Sequence, residues 1–284
     1  MGTRAEVLVT AMELARRLDA NEPVTILDVR WRLDEPDGRA AYQRSHLPGA
    51  VYVSLEDELS DHTVTGRGRH PLPSGRSVEA AARRWGVRRD VPVVVYDDWN
   101  RAGSARAWWV LTAAGLSDVR ILDGGLGAWI AAGRALQTGS VAPEPGDVTV
   151  PHVDLYAAAR PTLTAQQAAS AGDVLLDARA PERFRGDLEP VDLLPGHIPG
   201  AKNVPSTRAL ADDGVFLDDS ELRQLFGARG VDSAADVGVY CGSGVTAAVI
   251  VAALAAVGID AALFPGSWSE WSSDPARPVA TGPD

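Results

Sequence analysis

The stretch VGVYCGSGVTAAVIVAAL, residues 237–254, holds the only cysteine of the chain, Cys241. Val237, Val239 and Tyr240 form an apolar run before it. Gly242, Ser243 and Gly244 form a loop after it, and an alanine-rich helical pattern opens near Val245 or Thr246. The stretch reads as a buried strand, a tight turn and a helix start, with a candidate nucleophile at the end of the strand. Short apolar strands that alternate with helical patterns indicate a parallel sheet covered on both faces.

The same unit occurs earlier in the chain. VVVYDDWNRAG (93–103) parallels VGVYCGSGVTA (237–247), and TILDVRW (25–31) parallels VLLDARA (174–180). SHLPGAVYV (45–53) parallels GHIPGAKNV (196–204), and ILDGGLGAW (121–129) parallels ALFPGSWSEW (262–271). The order is kept, and the period is far too long for a solenoid, so the chain is a duplicated domain. Strands are expected at 26–29, 93–96, 174–177 and 237–240. Thr10 with Glu13, and Thr164 with Gln167, read as capping boxes that open a helix before the first strand of each pair. ALQTGSVAPEPGDVTVP (135–151) is rich in Pro, Gly and Ser and has no period, which marks the joint. The expected division is a first domain over 1–134, a connection over 135–160 and a second domain over 161–284.

Length alone favours two cores over one in a 284-residue chain. No apolar run reaches membrane-spanning length. The N-terminal residues carry charges throughout, so no secretory signal is expected there. A single cysteine forms no internal disulfide, which fits a reducing, cytoplasmic setting. The net charge of −11 argues against nucleic-acid binding, which needs basic surface to replace counterions. The five histidines are scattered, so neither a metal nor a cofactor is expected.

A lone cysteine in an apolar strand is most often a small buried hydrophobe. Its place at the strand end, the glycine loop that can turn amides inward, and the helix start facing the same spot point instead to a stabilised thiolate. A redox pair is excluded because no second thiol exists. A phosphatase loop would need an arginine six residues after the cysteine, where Ala247 stands. In the first half Asp97 occupies the position of Cys241, so that half keeps the fold without the nucleophile. The carboxylate there is expected to accept the loop amides.

CGSGVTA (241–247), GHIPGA (196–201), the LDAR strand and GSWSEW (266–271), repeated in order across both halves, resemble the tandem rhodanese-type sulfurtransferases. The resemblance implies an α/β protein of two rhodanese-like domains, each a parallel sheet flanked by helices, with an inactive first domain. It also implies that Cys241 accepts a sulfane sulfur as a persulfide, cradled by Gly242, Gly244, Val245 and Thr246. The sulfur then passes to cyanide or a thiol, thioredoxin among them. The neutral loop is similar to that of the 3-mercaptopyruvate sulfurtransferases, which implies that donor. Thiosulfate stays open as the alternative donor, and a non-catalytic sulfur carrier as the alternative role.

In that subfamily the loop serine works with a histidine and an aspartate of the first domain. The matching residues are Ser243, His70 in RHPLPS and Asp57 in SLEDELSD, with Asp61 close by. Arg183 in ERFRG matches the arginine that holds the donor carboxylate. The family's second arginine follows an E-P pair, and here Val191 stands in its place. Asp28 with Arg30, Asp177 with Arg179, and the turn histidines His46 and His197 occur in both halves, so a structural role is expected for them. Trp268 and Trp271 are expected to line the cleft near Cys241.

Overall fold

The computed structural model describes residues 4–170, 172–232 and 235–283. In the first half the strands are β1 (Leu8–Val9), β2 (Thr25–Asp28), β3 (Val51–Tyr52), β4 (Val93–Tyr96) and β5 (Val119–Leu122). In the second half they are β6 (Val174–Asp177), β7 (Lys202–Asn203), β8 (Val237–Tyr240) and β9 (Ala261–Leu263). They build a five-stranded sheet in the order β1-β5-β4-β2-β3 and a four-stranded sheet in the order β7-β6-β8-β9. Every pairing between these strands is parallel. The duplication survives at the level of register, with Leu27 opposite Val95 in one sheet and Leu176 opposite Val239 in the other. Strand β2 begins one residue before the expected segment.

Both capping boxes form. Thr10 and Thr164 each accept the N3 backbone N–H, and Glu13 and Gln167 reach back to the cap amide. The helices that follow the central strands, Ala102–Ala113 and Ala247–Ala256, are buried nearly all round. A helix apolar on every side belongs inside a core. These two pack on each other, so the interface between the halves is itself core, and one apolar cluster runs from Val7 to Leu263. This packing sets the ends of β4 and β8 over a shared cleft. Residues 138–150 carry no helix or strand and run along the first half, where Gly146 donates to the Arg83 carbonyl (2.7 Å).

The duplicated Asp-x-Arg pairs are buried ion pairs, 2.9 Å for Arg30–Asp28 and 2.6 Å for Arg179–Asp177. Each arginine also donates to the carbonyl before a turn histidine, Arg30 to Ser45 and Arg179 to Gly196. His46 stacks on Tyr42 and His197 on Phe184, each with Nδ1 on that residue's carbonyl. Their role is to tie strand ends to turns. Among the described residues no helix is long and apolar enough to cross a membrane.

Candidate active site

Cys241 is the residue after β8, and its side chain is buried at the floor of a cleft of about 370 Å³. Its own backbone is fixed from below. The Cys241 N–H donates to Ser267 Oγ (3.1 Å), and the Cys241 carbonyl accepts from the Trp268 N–H (3.0 Å). Gly244 has φ +76°, and a Cβ there would lie 2.4 Å from the Pro265 carbonyl oxygen, so only glycine lets the loop turn this closely. Thr246 is the N-cap residue of the helix Ala247–Ala256, and Val245 is buried beneath the loop. Among the described residues, the amides of Gly242 through Thr246 donate to no backbone acceptor.

The side chains expected beside the loop meet, with one change of partner. Ser243 Oγ lies 2.7 Å from His70 Nδ1, across 173 positions of sequence. His70 Nε2 lies 3.1 Å from Glu56 Oε1, and neither Asp57 nor Asp61 reaches it. Asp57 turns back to its own helix start, accepting from the Ser54 hydroxyl (2.8 Å), while Asp61 accepts from Thr63 (2.6 Å). The carboxylate of this set is therefore Glu56. Burial raises the Glu56 carboxyl, but hydrogen bonds from His70 and Trp31 outweigh it and draw its pKa down to about 2. Burial pushes His70 below the ordinary imidazole range, against the pull of Glu56. At neutral pH the pair is thus an ionised carboxylate and a neutral imidazole. Glu56 can only accept, so the imidazole proton sits on Nε2, and Nδ1 is free to accept the Ser243 hydroxyl proton.

Arg183 reaches the cleft, held by Glu189 (2.6 Å) and Asp192 (3.1 Å). Arg185 turns away to Asp187 at the surface. Trp268 and Trp271 do not line the cleft: both are fully buried under the loop, with indole N–H groups donating to the Leu194 and Pro278 carbonyls. The tryptophans at the cleft wall are Trp31 and Trp99, from the first half.

The Rhodanese-like domain family matches this chain twice, over residues 10–132 and 162–274. The chain belongs to the rhodanese-like family. A Mycobacterium tuberculosis protein provisionally named thiosulfate sulfurtransferase SseB is 70% identical over 282 residues, covering 99% of both chains. The 3-mercaptopyruvate sulfurtransferase of Escherichia coli K12 is 36% identical, covering 94% of this chain and 95% of that protein. The crystal structure of SseA from Escherichia coli superposes with a TM-score of 0.80 at 33% identity, covering 92% of this chain and 98% of that one.

The other rhodanese-like domain shows what such a loop does with an anion. Asp97 Oδ1 accepts from the Trp99 (3.0 Å) and Arg101 (3.2 Å) amides. Its Oδ2 accepts from the Ser104 amide (3.0 Å) and hydroxyl (2.7 Å). Arg101 completes the site with a buried ion pair (3.0 Å). Three further residues at or behind the cleft, Glu56, Arg106 and Arg69, were not expected from the sequence. Glu56 had a signal: Ser54-x-x-Asp57 is a capping pattern, which assigns Asp57 to the helix start and leaves its neighbour free. Arg106 and Arg69 had none. Arg106 is fully buried and donates to the Leu59, His70 and Gly244 carbonyls, pinning the histidine loop to the cysteine loop.

Proposed function

We propose that this sulfurtransferase carries sulfane sulfur as a persulfide on Cys241, taking it from 3-mercaptopyruvate and giving it to cyanide or a thiol. The Cys241 thiolate attacks the donor sulfur. The new S–S bond forms as the C–S bond breaks, and the electron pair leaves on the carbon of the pyruvate enolate. Products and reactants balance when the S–H proton of the donor becomes a methyl proton of pyruvate. Ser243 takes that proton as its own hydroxyl proton moves to His70 Nδ1, and the reverse shuttle delivers it to carbon. Glu56 steadies the imidazolium in between, as a triad carboxylate does. The persulfide leaves a negative terminal sulfur in the loop amides. Cyanide then attacks that sulfur, releasing thiocyanate and restoring the thiolate.

The observation that carries the donor assignment is the 2.7 Å contact between Ser243 and His70 beside Cys241. Thiosulfate needs no such relay, since sulfite leaves as a dianion without taking a proton. The 70% relative named for thiosulfate favours thiosulfate as the second reading. The chain holds no second thiol to resolve the persulfide, so an outside thiol such as a reduced thioredoxin is the physiological kind of acceptor. A free thiol that must be regenerated suits a reducing cytoplasm. The test is kcat/KM for thiocyanate release with each donor, on wild type and Cys241→Ser. A preference for 3-mercaptopyruvate supports the assignment. A preference for thiosulfate overturns the donor and leaves the persulfide, and activity retained by Cys241→Ser overturns the reading itself.

A further inference from the structure

Beside Arg183 the cleft contains a guanidinium that the E-P-V sequence does not supply. Val191 is partly exposed and carries no charge, but Arg69 enters from the first half, immediately before His70. Its backbone N–H donates to Ser269 Oγ (3.0 Å), which anchors it beside the turn under Cys241. A Cβ on Gly242 would lie 3.1 Å from Arg69 Nη2 and 3.5 Å from Arg183 Nη1. Two guanidinium forks from different domains therefore meet over the residue that follows the nucleophile.

One carboxylate bridges them. Asp192 presents Oδ1 to Arg69 Nη1 and Oδ2 to Arg183 Nη2. A carboxylate with one oxygen on each guanidinium has the same acceptor geometry that a donor carboxylate or sulfonate would present. Two features mark the arrangement as unfinished. Arg69 Nε is buried with no hydrogen-bond partner. Burial also raises the Asp192 carboxyl above its ordinary value, although two arginines face it. Arg183 is already held by both oxygens of Glu189, so Asp192 is the more loosely committed of the two acids.

We propose that Arg69 is the second anion-binding residue of the donor site, forming with Arg183 a clamp that Asp192 occupies until the donor anion displaces it. This rests on the sulfurtransferase reading above for the identity of the anion, and it replaces the missing fork at Val191 with one from the other domain. Gly242 is small because the clamp closes over it.

The test measures thiosulfate and pyruvate binding by titration calorimetry to intact Cys241→Ser protein, in which no sulfur can move. Adding Arg69→Ala should weaken binding of both by about tenfold or more, and Arg69→Lys should recover part of it. Adding Asp192→Asn should tighten binding. These opposite directions separate the clamp from a merely structural ion pair, since both substitutions break the same Arg69–Asp192 contact. In the active enzyme, Arg69→Ala should raise the donor KM and leave kcat with thiosulfate within a few-fold. Unchanged binding in Arg69→Ala, or loss of binding in both variants, overturns the proposal. A wild type that makes no thiocyanate from either donor overturns the sulfurtransferase reading instead, and leaves the binding result to stand or fall alone.

Discussion

Removing Glu56 tests the relay at the residue where sequence and structure part. Its Oε1 accepts both His70 Nε2 (3.1 Å) and Trp31 Nε1 (2.6 Å), and its Oε2 meets His62 Nε2 (3.0 Å). Glu56→Ala removes the acceptor that keeps the proton on Nε2 and the charge that steadies a protonated His70. A hydrogen bond to a charged group is worth about 1.5–3 kcal/mol, so persulfide formation from 3-mercaptopyruvate should slow by about 10- to 150-fold. Glu56→Gln should fall between, because an amide oxygen can keep the His70 and Trp31 contacts but not the charge. Asp57→Ala should cost stability through the Ser54 turn and leave the rate within about threefold, since its carboxylate never meets the histidine. With thiosulfate, Glu56→Ala should have little effect, because no proton moves to the leaving group. Rapid-quench measurement of pyruvate release in a single turnover reads the step directly. An Asp57→Ala loss as large as that of Glu56→Ala, or a Glu56→Ala rate within about threefold of wild type, would show that Glu56 is not the carboxylate that serves His70.

Three further outcomes follow from the same geometry. Burial lowers the His70 pKa, so its neutral, proton-accepting form persists below the ordinary imidazole range. The single-turnover rate with 3-mercaptopyruvate should therefore gain, relative to thiosulfate, an acid limb centred below about pH 6.5. A limb above that value would contradict the burial argument. Asp97→Ala strands Arg101, which is 2% exposed, and urea denaturation should show a loss of about 3–5 kcal/mol. A loss under about 1 kcal/mol would mean that the loop finds another acceptor. Gly244→Ala places a Cβ 2.4 Å from the Pro265 carbonyl at φ +76°, and should cost about 2–4 kcal/mol with loss of sulfur transfer. Wild-type activity in that variant would show that the loop has room to relax.

The fold was legible because its signals are local. Each central strand is four residues of apolar sequence closed by a turn, and each Thr-x-x-Glu/Gln marks a helix start that the structure confirms. The duplication made every such signal count twice, and the first-half Asp97 identified Cys241 as the exceptional residue. What was illegible lies between the halves. Arg69 and Arg106, which meet the cysteine loop from the other domain, were missed because nothing in a helix or strand period encodes that meeting, and His70 was named only through the family resemblance. The choice between Glu56 and Asp57 is instead local, because the Ser54 cap claims Asp57 and leaves Glu56 to meet the histidine. The buried Trp268 shows the reverse error. Its nearness to Cys241 in space is real, but it is made by the backbone, and the ring faces the core.

Whether sulfur rests on Cys241 is read most directly by the intact mass of the protein after one equivalent of 3-mercaptopyruvate with no acceptor present. The protein should be heavier by one sulfur atom, with the added mass on the Cys241 peptide, removed by cyanide and absent in Cys241→Ser. Pyruvate release with no added sulfur on Cys241, or added sulfur that persists in Cys241→Ser, would contradict it.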